Sequence, residues 1–241
     1  AKKIIIPEYN NSIFALYLPY DEISYNNTLN EDEYISADKG ITIHFIGGIL
    51  NYILPDKFHT IIDIGDNKEI KLNLNGRGSL EFQSKNQSKI KIYGQINLDS
   101  VKTICVNDNV KLVEIESVNF ANYTELHIIN KANEKVELKI NNIMLLEHSR
   151  ANLTNIEILN KMVIRQTATA LVDSTVKFSE SELFIELKVY QNDIIPMISG
   201  NLPDPPKKIH VLRSVENQGP KLEEEYMFFD GQFDCQLWLD K

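Results

Sequence analysis

The sequence predicts an all-β fold, a parallel β-solenoid with a loop-rich N-terminal cap and an aromatic C-terminal cap, and an antiparallel β-sandwich is the alternative. Three observations carry the expectation. The first is strict apolar/polar alternation in runs such as Ile70-Lys71-Leu72-Asn73-Leu74, Lys89-Ile90-Lys91-Ile92-Tyr93, Val110-Lys111-Leu112-Val113-Glu114-Ile115 and Val136-Glu137-Leu138-Lys139-Ile140. Alternation puts every second side chain on one face, so each run buries one side and wets the other. The second is the near absence of helical periodicity between residues 41 and 189. The third is spacing. Strand groups begin near Ile41, Ile61, Leu80, Val101, Thr124, Leu153 and Val176, and a period of roughly two dozen residues is what one solenoid coil requires. A sandwich also has regularly spaced short strands, but Asn-Gly, the strongest hairpin signal, occurs only once in this stretch, at Asn75-Gly76.

Three regions follow along the chain. Residues 1–40 mix Tyr, Asn and acids, as in Tyr20-Asp21-Glu22 and Asn30-Glu31-Asp32-Glu33, around one apolar run, Ile13-Phe14-Ala15-Leu16-Tyr17-Leu18. This is the texture of a loop-rich cap with a strand or two. Residues 41–199 form the expected solenoid. Asn recurs at its breaks, at Asn107, Asn109, Asn119, Asn130, Asn133, Asn141, Asn142 and Asn155, where it tolerates left-handed backbone and bonds its own main chain. In stacked coils such residues also form hydrogen-bonded ladders. Gly47-Gly48 and Gly76-Arg77-Gly78 read as turns or bulges.

Residues 200–241 open on Gly200-Asn201-Leu202-Pro203-Asp204-Pro205-Pro206, whose prolines end regular pairing. A short strand, Ile209-His210-Val211-Leu212, and an acidic stretch, Glu223-Glu224-Glu225, precede an aromatic end: Tyr226, Phe228, Phe229, Phe233 and Trp238. An open solenoid end is an unpaired β edge, and terminal coils are normally covered. The five aromatics are therefore expected as a cap, with a partner-binding patch as the other reading.

At 241 residues and 43% hydrophobic, the chain can bury a sizeable core as one unit. Its net charge of −9 argues against nucleic acid as a partner, which needs a basic stripe. No apolar stretch approaches the roughly 20 residues of a membrane span. Cys105 and Cys235 match neither a zinc spacing nor a disulfide framework, and two unlinked thiols are expected. Five Asn-x-Ser/Thr triplets begin at Asn10, Asn26, Asn86, Asn122 and Asn152; the richness in Asn, Ile and Lys produces such triplets by chance.

Chemistry-bearing patterns are sparse. His44, His59, His127, His148 and His210 show no i, i+4 pair of the kind that holds zinc on a helix. No nucleophile elbow, phosphate loop or dinucleotide fingerprint is present, and no cofactor or metal is expected. Asp63, Asp66, Asp99, Asp108, Glu114 and Glu116 are the acids from which a glycosidase pair would have to come, but any acidic face offers as many. Of the four arginines, Arg77, Arg150, Arg165 and Arg213, two, Arg150 and Arg165, suit a polysaccharide cleft.

Residues 61–233 resemble, in strand texture, the passenger domains of bacterial autotransporters and related secreted β-helix adhesins. The resemblance is carried by Asn75-Gly76-Arg77-Gly78-Ser79-Leu80-Glu81-Phe82, the strand series after it, Ile198-Ser199-Gly200-Asn201-Leu202, Ile209-His210-Val211-Leu212 and Phe228-Phe229-Asp230-Gly231-Gln232-Phe233. The chain departs from that pattern in its 10 glycines, its charge and its two cysteines. The resemblance implies a secreted or cell-surface, non-enzymatic binding protein of adhesin or virulence type, contacting a protein or glycan on a cell surface or a copy of itself. The other expectations are a structural or assembly protein of a particle or tail, and a β-helix enzyme acting on polysaccharide.

Overall fold

A computed structural model describes residues 21–28, 34–100, 102–165, 167–188, 197–200, 203–204, 206–214 and 220–226. Among these, every regular element is a strand. In chain order they are β1 (Glu22–Thr28), β2 (Ile35–Ser36), β3 (Thr42–Leu54), β4 (His59–Gly65), β5 (Glu69–Gly76), β6 (Ser79–Ser84), β7 (Lys89–Asp99), β8 (Lys102–Val106) and β9 (Leu112–Ala121). There follow β10 (Tyr123–Asn130), β11 (Glu137–Leu145), β12 (Arg150–Leu153), β13 (Ile156–Arg165), β14 (Thr169–Val172), β15 (Glu182–Lys188), β16 (Met197–Gly200), β17 (Lys208–Ser214) and β18 (Pro220–Tyr226). The chain divides into two compact units, residues 1–116 with 127–137 and residues 117–126 with 138–241.

Both units are parallel β-solenoid. In the first, β4 pairs with β6 and β6 with β8, while β3 pairs with β5 and β5 with β7, all in parallel. Strands thus pair with the next but one, as they must when each coil contributes one strand to each of two stacks. β3 belongs to both stacks. Its residues 42–44 lie on β4 and its residues 49–54 on β5, and β1 follows it in parallel register from Glu22 to Thr28. In the second unit β11, β13, β15 and β17 form one parallel stack and β12, β14 and β16 the other, with Tyr123–Glu125 of β10 on β12. The parallel register excludes the sandwich alternative, whose neighbouring strands run antiparallel.

Alternation supplies the core. Ile70, Leu72 and Leu74 of β5 are buried, as are Ile90, Ile92, Ile96 and Leu98 of β7. Phe82, Phe120 and Phe178 are the bulkiest of the fully buried side chains after Tyr52. Each such residue removed from water contributes about 1.5–3 kcal/mol.

The long strands also bend. In β9 the inward series Val113, Ile115 resumes at Val118, Phe120, and in β11 Leu138, Ile140 resumes at Ile143, Leu145. Opposite the break in β11, one residue faces two of β13, between the pairs Ile140 with Ile158 and Asn142 with Lys161, and a bulge of this kind turns a strand. In β3 and β7 glycine serves instead: Gly48 (φ 91°) and Gly94 (φ 101°) sit at the break in the left-handed region. The Gly47-Gly48 bulge expected from sequence is thus present.

Turns between strands are short. The amide of Phe58 donates to Pro55 O (3.3 Å), Val110 to Asn107 O (3.0 Å), Ser149 to Leu146 O (3.0 Å) and Ala168 to Arg165 O (3.0 Å). Lys57, His148 and Thr167 take positive φ in three of these turns; elsewhere Asn86, Asn122, Asn133 and Asn155 do so.

Backbone packing sets the cost of enlarging two glycines. A Cβ at Gly94 would lie 2.4 Å from Leu72 O and one at Gly76 (φ 117°) 2.5 Å from Leu54 O, both on the coil beneath, whereas Gly65 (φ 54°) has nothing within 4 Å. Gly76→Ala and Gly94→Ala should each lower the unfolding free energy by about 3 kcal/mol and Gly65→Ala by about 1 kcal/mol in urea titrations. Equal losses at all three positions would contradict the stacked arrangement.

Candidate functional site

A parallel in-register stack repeats its outward side chains at the strand spacing of about 4.8 Å, so residues remote in sequence form columns. In the first unit the outer face of β4, β6 and β8, with the first segments of β1 and β3, carries three. One is His59 and Ser79; a second is Glu22, Thr42, Ile61, Glu81 and Cys105; a third is Ser24, His44, Asp63 and Gln83.

Glu81 is the hub. Its Oε2 accepts from His59 Nε2 (3.2 Å), its Oε1 accepts from Gln83 Nε2 (3.0 Å), and Lys131 Nζ lies 3.4 Å away. Burial would raise the carboxyl, but the bonds from Gln83 and His59 and the charge of Lys131 outweigh it and hold the group below the usual carboxylate range. The neighbouring Cys105 is a free, half-buried thiol, pushed up by burial and by Glu81, the opposite of what a nucleophilic thiolate needs.

His59 links Glu81 to a hydroxyl. A carboxylate only accepts, so Nε2–H donates to it, and the other ring nitrogen, Nδ1, lies 2.8 Å from Ser79 Oγ. Hydroxyl, imidazole and carboxylate stand in the order of a nucleophile, base and orienting acid. The N–H of Ser79, the amide nearest its own hydroxyl, is committed to Phe58 O (2.9 Å). Nothing in the sequence pattern marks these three as a set, since only the register of β4 on β6 joins them.

In the second unit the corresponding face opens with Tyr123 and Glu125 on β10, over Arg150 and Asn152 on β12, over Thr169 and Leu171 on β14. Tyr123 Oη donates to Glu125 Oε1 (2.8 Å), and Asn152 Nδ2 donates to both Tyr123 Oη (3.0 Å) and Glu125 Oε1 (2.7 Å). The bond to Glu125 holds the phenol proton in place and raises its pKa. Tyr123 remains 42% exposed. In the other stack of this unit, Glu157 accepts from Ser179 Oγ (2.7 Å) and from Lys139 (3.2 Å), which keep its carboxyl low despite burial.

Of the aromatics expected to bind a partner, Tyr226 lies in β18, opposite Ile209 in antiparallel register; Phe228, Phe229, Phe233 and Trp238 lie outside the described residues, as does Cys235. The singled-out acids are spread along the stacks, each tied locally. Asp63 accepts from His44 Nδ1 (3.0 Å), Asp99 from Arg77 Nε (2.7 Å), Glu114 from Lys89 (2.9 Å), Glu116 from the Gly94 amide (2.7 Å) and Asp108 from the Ala132 amide (3.3 Å). Asp66 takes part through its carbonyl, which accepts from Gln87. Arg165 pairs with Glu186 at 3.3 Å.

The Asn ladders are present. Asn107 accepts from the Ser84 amide (2.7 Å), Asn109 donates to Gln87 O (2.9 Å) and Asn160 donates to Asn142 (2.6 Å), each to a neighbouring coil. A further ladder runs through Asn51, Asn73 and Gln95.

No group of three or more His, Cys, Asp and Glu among the described residues could hold a metal ion, and among those residues no helix is long and apolar enough to cross a membrane. What fold and walls define is a class, the parallel β-solenoids with polar, hydrogen-bonded side faces. Comparison with protein-family models, curated proteins and solved structures gives no match to this chain.

The carboxylates carry a pH dependence of known sign. A folded-state pKa below the unfolded value, about 4.3 for Glu, adds stability that is complete above that value and is lost as pH falls through the lower folded pKa. Urea midpoints should therefore fall between pH 5 and pH 3, and Glu81→Gln and Glu157→Gln should each flatten that fall. An unchanged slope in both variants would show that the carboxylates are not held as described.

Proposed function

We propose that the protein is a non-enzymatic binding protein of the extracellular space or cell surface that contacts a protein, a glycan or another copy of itself through a solenoid side wall. One observation carries the reading. Outward groups on successive coils hold one another in fixed positions, as Glu81 is held by His59, Gln83 and Lys131 and Glu125 by Tyr123 and Asn152. A surface ordered in advance forfeits little side-chain entropy on binding. The extracellular part of the reading rests on the resemblance to secreted passenger domains.

The Ser79, His59 and Glu81 line favours a second reading, an enzyme that removes ester groups from polysaccharide. In that chemistry the hydroxyl attacks an ester carbonyl while the imidazole takes its proton, and donors must await the oxyanion. The amide spent on Phe58 weighs against it.

The purified chain should bind saturably to cells or to components of a glycan array, with no loss of acetyl groups from acetylated polysaccharide. Deacetylation that disappears in Ser79→Ala would instead select the enzyme. Failure to bind cells, glycans or a second copy of the chain would overturn the binding reading.

A further inference from the structure

The polar quartet at the start of β10 has a composition and placement that go further than a generic wall. Asn122, at φ 54°, turns the chain into the strand. Thr124 is buried and its Oγ1 donates to Ala121 O (3.0 Å), which pins that turn from inside. Tyr123 is thereby forced outward, and Glu125, two residues on, shares its face. Arg150 and Asn152 repeat the same spacing one coil further. The four side chains occupy the corners of a patch about 4.8 Å by 6.6 Å from strand geometry.

We propose that Tyr123, Glu125, Arg150 and Asn152 form a subsite for a neutral saccharide; the inference rests on the side-wall reading and names its ligand class. A sugar ring presents an apolar C–H face and a rim of hydroxyls that both give and accept hydrogen bonds. The patch supplies the counterparts: an exposed aromatic ring, a carboxylate that accepts, and a guanidinium fork that donates. One Arg and one Glu cancel in charge, so the patch complements an uncharged ligand better than a phosphate, a sulfated glycan or an acidic peptide. The bonds among Tyr123, Glu125 and Asn152 fix ring and carboxylate before a ligand arrives, which keeps the ordering cost low.

The test uses the full chain and a panel of neutral gluco-, galacto- and manno-oligosaccharides beside sulfated and sialylated ones, with titration calorimetry on the best ligand. Binding to a neutral oligosaccharide, weakened at least tenfold by Tyr123→Ala and several-fold by Arg150→Ala at unchanged melting temperature, supports the subsite. Arg150 is exposed, so its variant serves alone if Tyr123→Ala does not fold. Neutral-saccharide binding that both variants retain overturns this subsite and leaves the wall reading intact. Binding confined to anionic glycans, or to cells through protein while the array stays blank, overturns the saccharide class alone. Absence of any binding overturns both.

Discussion

Everything in this protein depends on parallel register between coils. A hydrogen bond from one coil to the next places each residue over a counterpart, so a side chain's environment is decided by what lies one coil away more than by its sequence neighbours. The step between counterparts is uneven: Leu138 lies over Ile156, 18 residues on, while Thr169 lies over Met197, 28 residues on. The strands keep phase and the turns absorb the difference. A one-residue slip would exchange core and solvent faces throughout a strand, and it would bring a side chain to the places of Gly76 and Gly94, where a Cβ meets a carbonyl of the coil beneath.

Burial and polar stacking divide the labour. Inside, columns of Ile, Leu, Val and Phe exclude water; outside, the same repetition would bring like side chains together at under 5 Å, which for charges is unfavourable. The chain avoids that by staggering signs and by using neutral donors. Arg77 meets Asp99, Lys89 meets Glu114, Arg165 meets Glu186, and Asn or Gln fill many remaining places. Single exposed pairs contribute little to stability. Their weight lies in matching coil to coil, as does that of the fully buried Asn51, whose carboxamide oxygen is met by Asn73.

How much of this is legible in the sequence depends on range. Period-two runs such as Ile70–Leu74 and Lys89–Tyr93 are local, and they announce β5 and β7 with their inward faces. Asn107 and Asn109 bridge coils from breaks, as their places imply, whereas Asn142 does so from within β11. The expected strand-group starts agree with the stacking early: the Ile61 amide bonds Ile41 O, and Leu80 lies over Thr60, the neighbour of Ile61. They part from it later, where Leu153 lies over Val172 and not Val176, because nothing local reports the length of a coil. The same blindness hides the side walls. His59, Ser79, Glu81, Cys105 and Lys131 have no common spacing, and Tyr123 reaches Asn152 across 29 residues.

The parallel stack of β11, β13, β15 and β17 gives way to a reversal: β18 runs antiparallel to β17. Parallel and antiparallel pairs space and slant their hydrogen bonds differently, so the bonds between β17 and β18 follow another pattern than those between the coils before them. β18 also carries Lys221, Glu223, Glu224 and Glu225 in its sequence, and charges along a strand discourage its pairing with a strand of another molecule. By turning one strand around, the chain leaves the coil-on-coil repeat: residues of β18 meet partners on the strand just before them in sequence, so local order replaces long-range register there.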